Sequence, residues 1–240
     1  TNAVGTIGDY KELRNYYYSV LKLMDTIHYN SSVTKKVYED VFNLPNSCII
    51  GITHSDIKDN RKIKDYSNNY LRIRYLGPMG GAKGFFLLRA ALDELWNKKQ
   101  NFCLDVHFTP LEMSPYIKVH DRYSYSELKK IFDETDVLVA PSILYETFGF
   151  TVLEALSYGV PVIISGNVGA KDILVQKGGI VLENIDVQKL FNALQDITLD
   201  KLKVMNKTIV EKQTIMQIED MSRQIEMSCY GWKVWEKNTI

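Results

Sequence analysis

From Tyr70 onward the chain alternates between short apolar runs and longer segments with helical spacing. This regularity constrains the fold more than any other feature. "YLRIRYLG" (70–77) reads as a strand ending in glycine, and "FFLLRAALDELWNKK" (85–99) as a helix with Phe86, Leu87, Ala90, Ala91 and Leu95 on its apolar side. "FCLDVHFT" (102–109) and "YIKVHDR" (116–122) read as strands, and "SYSELKKIFDET" (124–135) as a helix capped by Ser126. Three further strands are expected at "DVLVAPS" (136–142), "VPVIIS" (160–165) and "GIVLE" (179–183). Helices are expected at "FTVLEALSYG" (150–159), within "GAKDILVQKGG" and at "DVQKLFNALQDIT" (186–198), and mostly helical chain from Leu199 to about Ser228. Strands alternating with helices predict an α/β domain with a parallel sheet. "VLVA" and "VPVII" lack polar alternation, as strands covered on both faces do. Ligands of such sheets lie at the carboxyl ends of the strands, so chemistry is sought in the loops after residues 77, 109, 122, 141 and 165.

The first 54 residues are less regular. Residues 9–24 have helical spacing, "IHYN" is a short strand, "SSVTKKVYEDVF" opens on Ser31 or Ser32 as N-cap, and Pro45 and Asn46 break it. "CIIGIT" (48–53) reads as a buried strand. Residues 55–69 are polar and Asn-rich, and the charges along 58–64 read as a solvated linker.

Composition removes several function classes. Twenty-nine Lys+Arg balance twenty-nine Asp+Glu, so no global field favours nucleic acid. Hydrophobic residues at 45% exceed what a disordered chain carries. No apolar run approaches the ~20 residues of a membrane helix, and the opening residues do not read as a secretory signal. Cys48, Cys103 and Cys229 are too few and too scattered for a disulfide framework or a zinc site, so a reducing, cytoplasmic setting and no metal are expected. His28, His54, His107 and His120 have no metal-ligand spacing and read as structural; His107, at a strand end, is the one expected near the cleft.

Two loops are candidates. In "GPMGGAKG", Gly80, Gly81 and Gly84 permit close approach of the backbone, and Lys83 stands at the mouth of a helix. That can be an anion site, or a flexible turn with a solvated lysine. Neither GxxxxGK[ST] nor GxGxxG is present. In "PSILYETFGFTVLE" (141–154), Gly149 turns a strand into a helix, so the N–H groups of Phe150, Thr151 and Val152 point back toward the strand ends. Glu146 precedes the turn and Glu154 lies just over one helical turn beyond it. A diphosphate suits the amides and sugar hydroxyls suit the carboxylates. The plain alternative is an acid near the helix dipole and a surface glutamate.

These segments carry a resemblance. "YLGPMGGAKGFFLLRAALDEL" and "LVAPSILYETFGFTVLEALSYGVPVI" are similar to the C-terminal domain of retaining GT-B glycosyltransferases of family 4, or group 1, marked by Glu-x7-Glu in a PS…E-x-FG…E-A…G-x-PV setting. Pro141, Ser142, Glu146, Phe148, Gly149, Glu154, Ala155, Gly159, Pro161 and Val162 fit, and the likeness covers roughly residues 26–200. It implies a Rossmann-like parallel sheet flanked by helices, with a short remnant of the N-terminal domain (1–54), a linker (55–69), a nucleotide-sugar-binding domain (70–218) and a C-terminal helix returning toward the N-terminal domain (219–240). It implies transfer of a hexose, with retention, from a nucleotide-diphosphate sugar to a glycan, lipid-linked glycan or protein acceptor. This chain would supply the donor-binding half. Glu154 would bind the ribose, Glu146 the donor sugar, the backbone at Gly149, Phe150, Thr151 and Gly81 the diphosphate, and Lys83 would neutralise that diphosphate as it leaves. No metal or other cofactor is implied. The acceptor site belongs to an N-terminal domain outside this chain, through which any peripheral membrane association would act. Trp232 and Trp235 with Tyr230 would mark the interface with that domain.

Departures from the pattern are specific. Pro78 stands where the family has an arginine, so Arg74 or Arg122 would have to substitute. "HFTPLEMSPYIK" lacks the usual Gly-rich turn, and the base is expected near Arg122 and Tyr123. A non-catalytic nucleotide-sugar-binding module is the main alternative function, and a GT-B-type sugar-nucleotide epimerase a weaker one.

Overall fold

The periodic segments of the first 54 residues form a small unit, in which helix α1 (Ile7–Leu21) precedes strand β1 (Ile27–Tyr29), helix α2 (Ser32–Glu39) and strand β2 (Ser47–Ile49). The computed structural model describes residues 7–44, 46–98 and 101–230. The expected break at Pro45 and the aromatic Trp232 and Trp235 lie outside them. β1 and β2 pair in parallel. Ser31 is the N-cap of α2, accepting the Thr34 N–H at 3.1 Å. The buried strand expected over 48–53 is shorter: pairing stops at Ile49, which is exposed, and Ile50 is buried beyond it.

The regular part of the chain gives β3 (Leu71–Tyr75), α3 (Phe85–Trp96), β4 (Phe102–Val106), β5 (Ile117–Val119), α4 (Leu128–Asp133), β6 (Val137–Ala140), α5 (Phe150–Ser157), β7 (Val162–Ser165), β8 (Gly179–Leu182), α6 (Val187–Asp196), α7 (Leu199–Lys212) and α8 (Ile218–Cys229). Six strands form one parallel sheet in the order β5-β4-β3-β6-β7-β8. α3 and α6 cover one face, with Leu88, Leu92, Leu190 and Leu194 packed on Ile73, Leu104 and Val139. α4 and α5 cover the other, where Phe132, Val152 and Leu156 meet Leu138, Val162 and Ile164. The protein is α/β with a Rossmann-like parallel sheet flanked by helices. No helix among the described residues is long and apolar enough to cross a membrane.

Two local expectations are corrected. The helix after β5 is capped by Ser124, not Ser126: Ser124 and Glu127 form a reciprocal capping box around a single 3-10 turn, Tyr125–Glu127, before α4. The segment 55–69 has no regular structure, yet it is not uniformly solvated, because Ile57, Lys64 and Tyr66 are buried. Lys64 Nζ donates to the Phe132 carbonyl, and desolvation lowers its pKa to about 8. Arg61 donates to the carbonyls of Ile209 and Gln213 at the end of α7. Buried Asn206 completes the fastening, accepting Lys64 N–H at 3.0 Å and donating to Lys62 O at 3.0 Å and Gly159 O at 2.7 Å.

Only glycine serves at position 84. Its φ is +77°, and a Cβ there would stand 1.9 Å from the Pro141 carbonyl oxygen. Gly84→Ala is therefore expected to destabilise the fold by at least about 2 kcal/mol. Urea denaturation with an unchanged m-value is the check, and a loss below about 0.5 kcal/mol would contradict it.

Candidate active site

A sheet whose strand order reverses leaves a crevice at the reversal, and here that point lies between β3 and β6. A cavity of about 280 Å³ opens there. Tyr75 at the end of β3 and Gly77, Pro78 and Lys83 from the loop after it line the cavity, with Glu146 and Gly149 from the loop after β6 and Phe150 and Thr151 from the first turn of α5. Backbone hydrogen bonds stitch these loops together. The Ala82 carbonyl accepts the Ile143 N–H at 3.0 Å and the Leu144 N–H at 3.1 Å. Tyr75, missed in the sequence reading, shapes the first loop from below: its hydroxyl donates to Pro78 O at 2.9 Å.

Lys83 Nζ and Glu146 Oε2 meet at 2.9 Å, the lysine more exposed than the glutamate. Gly149 caps α5 at φ +101° with no side-chain cap, and a Cβ there would stand 2.8 Å from Val168 Cγ1. The Phe150 and Thr151 amides begin the helix, so neither has an intrahelical acceptor. The Val152 amide differs from expectation, since it donates back to Gly149 O at 3.0 Å. Gly81 lies on the exposed side of its loop, outside the cavity lining, where a Cβ would meet only Phe86 at 4.0 Å.

Glu154 is also outside that lining. It is 6% exposed, and Oε1 accepts the Tyr125 hydroxyl at 2.5 Å. Burial raises its pKa, opposed by the Tyr125 bond and, when the ring is protonated, by His54. Neither Tyr125 nor His54 had been singled out for the site.

Arg74 and Arg122 are not beside Lys83. Both line a second cavity of about 240 Å³ with His107, His120, Asp121 and Tyr123. Arg74 is buried, with Nη1 3.3 Å from His107 Nε2 and 4.0 Å from Asp105 Oδ1. His120 Nε2 lies 2.6 Å from Asp105 Oδ1. His107 holds the Asp121 carbonyl through Nδ1 at 2.6 Å, and burial lowers its pKa. Among the residues lining the first cavity, Lys83 is therefore the only cation. No group of three or more His, Cys, Asp or Glu among the described residues could hold a metal ion.

A doubly wound sheet with a lysine, a carboxylate and an open helix N-terminus at its switch point defines an α/β domain suited to a phosphorylated ligand. Residues 56–214 match the model of glycosyl transferases group 1, more than half of the chain, and the protein belongs to that family. A probable sucrose-phosphate synthase of Oryza sativa subsp. japonica is 31% identical over 87 residues, 36% of this chain and 9% of the relative. Among solved structures, sucrose-phosphate synthase from Thermosynechococcus elongatus superposes with a TM-score of 0.73 at 17% identity, covering 93% of this chain and 63% of that one. Anabaena HepE, in complex with UDP and glucose, gives 0.69 at 14% identity, covering 92% and 68%. These likenesses show a shared GT-B fold. The chain spans only a small part of the curated relatives it matches and less than two thirds of the sucrose-phosphate synthase structure.

The Lys83–Glu146 pair is partly solvent-exposed, and such pairs contribute little to stability. Lys83→Met is expected to change the unfolding free energy by less than about 1 kcal/mol. Urea denaturation checks this, and a larger loss would mean that the pair helps hold the two loops together.

Proposed function

We propose that this chain is the donor-binding half of a retaining hexosyltransferase that uses a nucleotide-diphosphate sugar. The observation that carries the reading is the convergence of Lys83, Glu146 and the N-terminus of α5 in one cavity at the sheet's switch point. In this reading the free amides of Phe150 and Thr151 take the diphosphate, and Glu146 accepts hydrogen bonds from the donor sugar. Lys83 releases Glu146 and neutralises charge on the diphosphate as the bond to the anomeric carbon breaks. Fixed donors and a cation aimed at developing charge supply much of the catalysis in such sites, so a metal ion is not required. Glu154 takes the ribose hydroxyls, and the base lies toward the second cavity at Arg122 and Tyr123.

Residues 1–54 are then the remnant of the N-terminal GT-B domain, and 219–240 the returning C-terminal segment. α8 packs on β1, with Cys48 Sγ 3.5 Å from Cys229 Sγ. The acceptor, a glycan, lipid-linked glycan or protein, would bind on the missing domain. One observation favours a second reading, a module that binds donor without transferring it: Pro78 replaces a cation, and both candidate arginines face the other cavity.

A thermal-shift and calorimetric panel of UDP, GDP, ADP and their hexose derivatives tests donor binding. One nucleotide should stabilise the chain, and Glu154→Ala should weaken it by about 1–3 kcal/mol, the cost of losing a hydrogen bond to a charged group. Unchanged affinity with an intact fold would remove the ribose assignment. With the N-terminal domain restored, Lys83→Met should lower transfer by about 10²–10³-fold. Donor binding without transfer in that complete protein would favour the binding module.

A further inference from the structure

The carboxylate assigned to the ribose does not stand alone. Glu154 Oε1 accepts the Tyr125 hydroxyl at 2.5 Å, and the Tyr125 oxygen lies 2.6 Å from His54 Nε2. On the far side of the imidazole, the Asp56 amide donates to Nδ1 at 3.3 Å. An accepting Nδ1 leaves the ring proton on Nε2. The donors then run one way: Asp56 N–H to His54, His54 Nε2–H to Tyr125, Tyr125 O–H to Glu154. Chains of aligned hydrogen bonds polarise one another. The imidazole is also held edge-on by Tyr125 at 5.2 Å and by Phe150 at 5.1 Å between ring centroids.

Packing does not account for Tyr125. It lies on the short 3-10 turn after β5, and 44% of it is exposed, yet its hydroxyl is turned inward onto a carboxylate that is 6% exposed. The charged and titratable groups around this carboxylate are His54 and Asp56 from the segment before β3, Tyr123 and Tyr125 from the turn before α4, and Tyr158 at the end of α5. Among them His54 alone can carry positive charge. Burial favours the protonated acid, while the Tyr125 bond favours the carboxylate. A protonated carboxyl would present a donor where a ribose hydroxyl needs an acceptor.

We propose that Tyr125, oriented by His54, is the positioning residue of the nucleotide site: its hydroxyl fixes Oε1 of Glu154 so that Oε2 is presented as an acceptor to a ribose hydroxyl. This rests on the ribose assignment made above for Glu154. The Tyr125 ring stays in place when nucleotide binds, and its removal weakens binding through Glu154 rather than through a contact of its own.

The test compares the wild-type chain with Tyr125→Phe, His54→Gln and Glu154→Gln. Glu154 is titrated by ¹³C-carboxyl NMR in the unliganded proteins, with Glu154→Gln assigning the resonance. UDP, GDP and ADP affinities are measured by calorimetry across pH. In Tyr125→Phe the Glu154 midpoint should move to higher pH, and binding of the preferred nucleotide should weaken about tenfold near neutrality and further at lower pH. His54→Gln should act in the same direction to a smaller extent. A Glu154 titration unmoved by Tyr125→Phe overturns the proposal. So does nucleotide binding as tight as, or tighter than, wild type in that variant, since the hydroxyl would then merely fill the ribose position. If Glu154→Gln binds every nucleotide as wild type does while Tyr125→Phe still shifts the titration, the ribose assignment fails and the hold of Tyr125 on the carboxylate stands.

Discussion

The strand order reverses between β3 and β6, and the crossover helices then leave toward opposite faces of the sheet. The carboxyl ends of those two strands open into the first cavity. The loops after them must share that opening, although Ala82 and Ser142 are 60 residues apart in sequence. Backbone bonds from Ile143 and Leu144 to Ala82 seat one loop on the other, and Gly84 lets the first come close enough to touch Pro141. The distance between Lys83 and Glu146 follows from that seating, not from anything local to either residue.

The seating also sets the electrostatics. Without an anion, Lys83 and Glu146 satisfy each other, so the cavity holds a cation without leaving it unpaired. In the function proposed above, a diphosphate would compete for the lysine and gain the two amides that open α5, leaving the glutamate to accept from hydroxyls, an exchange that asks only the exposed lysine side chain to swing. The second cavity behaves differently. Arg74 is buried among His107 and Asp105, and desolvation lowers its pKa. It is committed to structure on that side of the sheet.

Much of this was legible in the sequence, and the failures have physical causes. The strand and helix periods gave the parallel sheet, and the spacing of Glu146, Gly149 and Glu154 marked the turn into α5 correctly. The direction of Arg74 was also readable, and was missed. Along "LRIRY", Leu71, Ile73 and Tyr75 point to one face, so Arg74 points to the other, while Tyr75 turns toward the cavity. The Val152 amide was misplaced because a tight first helical turn consumes it, a choice that spacing does not encode. His54 and Tyr125 are 71 residues apart and share no motif. Only the folded path of the segment before β3 brings them together.

That path explains why the segment 55–69 is packed rather than loose. A polar, Asn-rich stretch reads as solvated when nothing in its own pattern buries it. Its fastening comes from elsewhere: Asn206 and the final carbonyls of α7 hold Lys64, Lys62 and Arg61, and the Phe132 carbonyl takes the Lys64 ammonium. Each bond uses a helix-end carbonyl or the buried Asn206 amide, so the segment is fastened to the helix ends at several points. The residue just upstream of this fastened stretch is His54. A loose linker would leave its imidazole free to swing, and the Tyr125 oxygen would then lose its fixed histidine partner. Held down from Ile57 to Tyr66, the same chain delivers His54 to one position against Phe150 and Tyr125. The stability of the segment between the small unit and the sheet thus bears directly on the geometry of the carboxylate at Glu154.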